Sequence, residues 1–165
     1  MNQIRNILIT IVVMVLFVSP LKAEFYSLEG KPVLDKANII DDVDEKNLND
    51  TLFEFEKTNN RQLAVVTVPS LEGRDIDEFS VEYAQFLGLG SDENDDGVVF
   101  LIAPNERSMR IEVGRGLEYA LTDAASGRII KNITPYFKSN LYSEGIVVGA
   151  EQIIPYITAD SVEKS

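Results

Sequence analysis

Apolar and polar positions divide the chain into segments that predict alternating helices and strands. Apolar residues at helical spacing predict helices over 42–58 and 76–88. Between them, the continuous apolar segment 62–68 predicts a buried strand that Pro69 ends. The apolar segment 97–103, a polar turn and the alternating segment 108–113 then predict a β-hairpin.

The remaining segments complete a small α/β pattern. Residues 24–40 are predicted to form an extended lead-in. A third helix is predicted to begin at Thr122-Asp123 and to end near Pro135. A fourth helix is predicted over 141–157, with Pro155 in its last turn. The pattern predicts a three-layer α/β/α sandwich with a small mixed β-sheet flanked by about four helices.

Short polar patterns indicate where helices begin. Asp42 followed by Glu45, and Asp75 followed by Glu78, resemble capping boxes for the first two helices. Asp123, at the start of the third helix, is a candidate cap as well as a candidate ligand.

The first residues have the layout of a secretory signal peptide. Arg5 gives a basic start, Ile7 to Val18 is a continuous apolar run, and Ala23 is a plausible cleavage position. The run has 12 residues, whereas a membrane-spanning helix needs about 20, so an uncleaved anchor is the less favoured alternative. We expect an exported, periplasmic or extracellular protein with one domain over 24–158, no further transmembrane span and a disordered tail over 159–165.

Composition limits the chemistry that the chain can perform. It contains no cysteine and no histidine, which excludes disulfides, thiolate nucleophiles, Ser-His-Asp triads and ordinary zinc or copper sites. The net charge of −12 disfavours binding to nucleic acid and favours cations. A bound metal would therefore be held by oxygen ligands, as calcium, magnesium or manganese are.

The densest group of candidate ligands lies just before the hairpin. Asp92-Glu93-Asn94-Asp95-Asp96-Gly97 matches the first six positions of an EF-hand loop, D-x-[DN]-x-[DN]-G. The match then fails, because position twelve is Ala103 instead of a bidentate glutamate. Further ligands would have to come from other loops, where Glu118, Asp123 and Asp35 are candidates. The alternative is a solvated acidic turn with no ligand.

Glycines and arginines follow the hairpin. Gly114-Arg115-Gly116 suggests a phosphate loop, but Tyr119 replaces the third glycine of the dinucleotide pattern and no P-loop lysine follows. We interpret these glycines as turn residues. Arg107, Arg110 and Arg115 could bind an anion, or could pair with the surplus carboxylates.

Together these motifs resemble the TPM domain family, which includes a plant thylakoid-lumen protein and bacterial exported proteins. The resemblance rests on the motifs DDGV at 95–98, RIEVGRGLE at 110–118 and LTD at 121–123, and on weaker motifs elsewhere in 30–157. It implies an α/β/α sandwich with an acidic pocket that binds a divalent cation. It also implies a disputed acid phosphatase activity and, from the plant member, a role in the upkeep of membrane protein complexes.

Three functions remain open at this point. The first is a cation-binding domain, with calcium favoured over magnesium, that a protein partner recognises, such as a membrane protein complex. The second is a metal-dependent phosphatase acting on phosphomonoesters, with Arg110 and Arg115 holding the phosphate. The third is a structural module with no ligand. The absence of histidine and cysteine favours binding over catalysis.

Overall fold

The structure, a computed structural model, describes residues 25–91 and 94–158. The predicted signal peptide, the candidate ligand Asp92 and the predicted disordered tail lie outside the described residues.

A four-stranded mixed sheet forms the centre of the domain. Its strands, in spatial order, are β1 (Val33–Asp35), β2 (Gln62–Thr67), β3 (Gly97–Ala103) and β4 (Ser108–Val113). The first three strands are parallel, and β4 returns antiparallel to β3 through a short turn. Both central strands are almost entirely buried because helices cover both faces of the sheet.

Three helices pack on one face of the sheet and one helix packs on the other. Val65 and Phe100 contribute to the core beneath α1 (Asp42–Asn59), α3 (Asp123–Lys138) and α4 (Tyr142–Ile153). Val66 and Leu101 point to the opposite face and pack against α2 (Ile76–Leu87). This alternation follows from the two-residue period of a strand. The predicted α/β/α sandwich is confirmed, and none of the described helices is long and apolar enough to cross a bilayer.

The two helical crossovers leave the sheet on opposite faces. The connection from β1 to β2 runs through α1, and the connection from β2 to β3 runs through α2. Chain segments therefore diverge at the carboxyl ends of β1 and β2, a position where α/β proteins often bind ligands.

The structure refines the extended lead-in and corrects the end of one helix. The lead-in contains the short strand β1, which is too brief to show an apolar period and depends on its pairing with β2. The fourth helix ends at Ile153, and residues Ile154–Tyr156 form a 3₁₀ turn. Pro155 explains the earlier end, because it has no N–H to donate to the helical ladder.

Capping predictions had mixed outcomes. The predicted box at Asp42 was wrong: the N-cap of α1 is Asp41, whose side chain makes no capping bond. Asp75 does cap α2, since its carboxylate accepts from the amides of Asp77 and Glu78. The Thr122 hydroxyl accepts from the Ala125 amide and caps α3, which leaves Asp123 as the first helical residue.

We predict that Gly149→Ala destabilises the domain. A Cβ atom at this position on α4 would lie 2.7 Å from Cε1 of the Phe100 ring, closer than packed atoms approach. The expected loss is about 1–3 kcal/mol, measured by denaturant unfolding. Gly127→Ala on α3 is the matched control, because its Cβ would meet nothing within 4 Å, and it should be neutral or stabilising. Equal stability of the two variants would contradict this packing.

Candidate functional site

The acidic loop, residues 91–96, is closed by hydrogen bonds to Ser91. The Ser91 carbonyl accepts from the amide of Asp95 at 2.9 Å. Oδ1 of Asp96 accepts from the Ser91 amide at 2.8 Å and from its hydroxyl at 3.1 Å. Asp96 is therefore a buried carboxylate, 7% exposed, whose orientation is fixed immediately before β3 begins.

Two glycines form a platform under this loop. A Cβ atom on Gly116 would lie 2.0 Å from the carbonyl oxygen of Asn94, and one on Gly114 would lie 2.2 Å from the carbonyl oxygen of Asp95. The amide of Gly116 donates to the Asp95 carbonyl at 3.0 Å, and the amide of Gly114 donates to the Gly97 carbonyl at 2.8 Å. The glycines of the GRG motif are therefore needed for close backbone approach, in agreement with their interpretation as turn residues.

Asp95 is held by Arg115. Its Oδ2 accepts from Nε of Arg115 at 3.0 Å and from the Arg115 amide at 3.3 Å. The hydrogen bond from the Arg115 guanidinium is the main reason that the pKa of the Asp95 carboxyl is lowered. Asp95 adopts a left-handed backbone, with φ of 51°. The carboxylate is therefore ionised and positioned on the loop at neutral pH.

Three further candidate ligands are exposed. Asn94 lies on the loop itself, Glu118 lies on the turn after β4, and Asp123 lies at the first position of α3. Within 25–91 and 94–158, no three acidic side chains come together as a group that could hold a metal ion.

Asp35 is not part of this loop region. It pairs with Thr67, which in turn pairs with Ile102, six residues along β3 from Asp96. At about 3.3 Å per residue, Asp35 and Asp96 lie roughly 20 Å apart at opposite edges of the sheet.

The side chain of Asp35 closes the start of the β1–α1 connection. Its Oδ2 accepts from the amides of Ile39 and Ile40 at 2.9 and 2.8 Å, and its Oδ1 accepts from the hydroxyl of Thr67. Asp35 thus occupies the position where the two crossovers diverge. Both of its carboxylate oxygens accept hydrogen bonds from the domain, which indicates a structural role.

Arg110 and Arg115 lie in different surroundings. Arg110 is in the middle of β4, opposite Leu101, on the face covered by α2. Its guanidinium contacts Asp77 at 3.1 Å and Glu112 at 3.3 Å. Both of these arginines therefore have a carboxylate partner within the domain.

Sequence reasoning missed two residues that shape these regions. Ser91 organises the acidic loop, and Thr67, which is completely buried, organises the opposite edge. A serine just before an acidic turn is a recognisable signal for local side-chain-to-backbone bonds. Thr67 gave no such signal, because it lies inside an apolar strand.

We predict that the Asp95–Arg115 pair contributes stability that is lost in acid. A carboxyl whose pKa is lowered on folding stabilises the folded state above its unfolded pKa of 3.8, and this contribution disappears as pH falls through the folded pKa. Arg115→Gln should therefore lower stability by less than about 1 kcal/mol at pH 7, since the pair is exposed. Thermal unfolding of wild type and variant should converge below pH 3.8.

Arg128→Gln is the control for this pH series, because it removes the same charge from an exposed position on α3. A gap between wild type and Arg115→Gln that stays constant from pH 7 into acid, or that Arg128→Gln reproduces, would contradict the pairing.

Comparison with solved structures supports the fold. The N-terminal domain of a protein from P. gingivalis superposes with a TM-score of 0.72 at 27% identity, covering 85% of this chain and 96% of that one. The N-terminal domain of the cg2496 protein from Corynebacterium glutamicum gives a TM-score of 0.61 at 19% identity, covering 88% and 90% of the two chains. The BA42 protein from the psychrophilic bacterium Bizionia argentinensis gives 0.61 at 18% identity, covering 72% and 81%. The last two show a shared fold alone.

Sequence comparison identifies the family. No curated protein matches the chain at a significant level. The family model described as the TPM domain matches residues 33–156, which include β1, the acidic loop, the glycine platform and all four helices. The chain therefore belongs to the TPM domain family.

Proposed function

We propose that this protein is an exported module that binds a divalent cation at the acidic loop and presents the occupied loop to a protein partner. The observation that supports this most is the glycine platform. It holds the backbone of Asn94 and Asp95 in place, so that the ligand-bearing loop is organised before any cation arrives.

The donor set fits a hard cation. Both hydrogen bonds that Asp95 accepts go to Oδ2, and both that Asp96 accepts go to Oδ1. Among the described residues, the second oxygen of each carboxylate accepts no hydrogen bond. Asn94 adds an exposed amide, and Asp92 adds a further carboxylate in sequence. Mixed carboxylate and amide oxygens on an irregular loop suit calcium better than magnesium, which demands near-octahedral geometry.

The proposed partner contact is an exposed tyrosine that follows the glycine platform. Tyr119 is 48% exposed on the same turn as Glu118, directly after the glycine platform. Exposed tyrosines are enriched where proteins bind one another. A cation on the loop would offset part of the local negative charge, which would allow an acidic partner surface to approach. The TPM resemblance suggests that this partner is a membrane protein complex whose upkeep the module serves.

Export is part of the proposal. The signal-like residues 1–23 support secretion to the periplasm or the cell exterior, where free calcium is far more abundant than in cytosol. Weak extracellular calcium sites operate at about 10⁻⁴–10⁻³ M, an affinity that a loop with few carboxylates can reach.

The phosphatase alternative has weaker support. It requires arginines available for phosphate, whereas Arg110 and Arg115 both hold carboxylates of the domain. It would also use the same cation, so the experiment below tests it in parallel.

We predict that calcium stabilises the chelated protein saturably. At 1,000 times the dissociation constant, the cation should add about 4 kcal/mol and raise the unfolding temperature by several degrees. Asp96→Asn should abolish most of this shift, because it removes the charge but keeps the oxygen that Ser91 binds. Differential scanning calorimetry with calcium, and separately with magnesium, measures the effect.

Asp50→Asn is the matched control, since Asp50 is an exposed carboxylate on α1 paired only with Lys46. It should keep the full calcium response. A flat response of the wild type to both cations, or an Asp96→Asn shift equal to that of wild type, would refute the loop as a cation site. Metal-dependent hydrolysis of p-nitrophenyl phosphate that Asp96→Asn abolishes would instead favour the phosphatase.

A further inference from the structure

A cavity lies at the other end of the sheet from the acidic loop. It has a volume of about 350 Å³ and is enclosed by the β3–β4 turn and by the junction between α3 and α4. Ala103, the last residue of β3, is one of its lining residues. The volume falls within the range of small-molecule sites, and the position outside the carboxyl end of a strand is a common one for ligands.

The charge of this cavity is opposite to that of the whole protein. Its lining includes Arg107 and Lys138 and no aspartate or glutamate, in a chain with 27 acidic and 15 basic residues. Neither Arg107 nor Lys138 forms an ion pair with a carboxylate in the described part of the chain. The nearest acid in sequence, Glu106, is held elsewhere, because its Oε1 accepts from the Ser70 hydroxyl at 2.6 Å and from the Leu71 amide at 3.0 Å.

The rest of the lining is apolar and aromatic. The Phe137 and Tyr142 rings meet edge to face with their centres 5.6 Å apart, and Met109 is half-buried beside them. The Tyr142 hydroxyl donates to the side-chain oxygen of Asn140 at 3.3 Å. The cavity thus combines an aromatic wall with a cationic rim, an arrangement that matches an anion attached to an apolar group.

The backbone of Arg107 adopts a conformation that is strained for residues other than glycine. Arg107 has a φ of 54°, in the left-handed region that glycine adopts without strain, and its amide donates to the Pro104 carbonyl at 3.1 Å. Glycine would satisfy the turn equally well, so the turn itself does not require an arginine.

We propose that this cavity binds an organic carboxylate carrying a ring-sized apolar group. The carboxylate would pair with Arg107 and Lys138, and the ring would pack against Phe137 and Met109. Arginine binds carboxylates through paired hydrogen bonds, which gives the site its preference for a planar anion. Such a group exists in free aromatic acids and at the C-terminus of peptides that end in an aromatic residue. The site is independent of the cation proposed at the acidic loop.

The probe for this site is 3-phenylpropionate, titrated by isothermal calorimetry and by amide chemical shifts, with 3-phenylpropanamide as the neutral analogue. We expect the acid to bind and the amide to bind at least about tenfold more weakly, because the amide loses the ionic hydrogen bonds. Shifts should be confined to residues around the β3–β4 turn and the α3–α4 junction. Equal binding of acid and amide, or no binding of either, would overturn the proposal.

Arg107→Gly tests binding without destabilising the folded domain. It removes the guanidinium and suits the left-handed turn, so affinity should fall about tenfold while the unfolding temperature does not decrease. Lys138→Gln should also weaken binding, whereas Lys131→Gln, an exposed position elsewhere on α3, should not. Unchanged affinity in both Arg107→Gly and Lys138→Gln would refute the cationic rim.

Binding measurements with peptides identify the source of the carboxylate. Short peptides ending in phenylalanine, with a free or an amidated C-terminus, are compared with 3-phenylpropionate. Tighter binding of the free peptide supports a protein C-terminus as the ligand, and binding no tighter than that of 3-phenylpropionate supports a free aromatic acid. Equal binding of free and amidated peptides would contradict recognition of the carboxylate.

Discussion

The candidate cation site depends on the close approach of two backbone segments. The acidic loop rests on Gly114 and Gly116, where a single added methyl group would overlap a carbonyl oxygen of the loop. This contact is possible because β4 runs antiparallel to β3 and brings the end of the hairpin back to its beginning. Tertiary packing therefore positions the Asp95 backbone in the folded domain. The proposed cation site depends on that position.

The two ends of β3 carry side chains of opposite charge. At the amino end of β3, Arg115 and Ser91 fix the carboxylates of Asp95 and Asp96, and one oxygen of each accepts no hydrogen bond from the described residues. At its carboxyl end, Arg107 and Lys138 line a cavity without an acid. One rigid sheet separates the two by about 20 Å, so cation and organic anion could bind without competing. Asp35, at the carboxyl end of β1, stabilises the connection to α1 through backbone amides.

The fold was largely predictable from sequence because most elements have a strong local period. Leu48, Leu52 and Phe55 indicated α1, and the apolar run 97–103 indicated β3. The bounds of β1 within the extended lead-in could not be predicted, because three residues carry no period and the pairing with β2 is long-range. For the candidate site, spacing singled out Asp95, Asp96 and the glycines as candidates. It could not show that Asp35 lies at the opposite edge, since that depends on strand register, nor that Lys138 and Arg107 line one cavity.

The central claim is that the glycine platform organises a cation site at the acidic loop. Its most direct test is a calcium titration followed by amide chemical shifts, in wild type and in Gly116→Ala. We predict saturable shifts confined to residues 91–97 and 114–118 in the wild type. In Gly116→Ala these shifts should weaken strongly, while signals from α1 and α4 remain those of the folded protein. Calcium shifts centred on other acidic residues, or equal affinity in the folded Gly116→Ala variant, would contradict the claim.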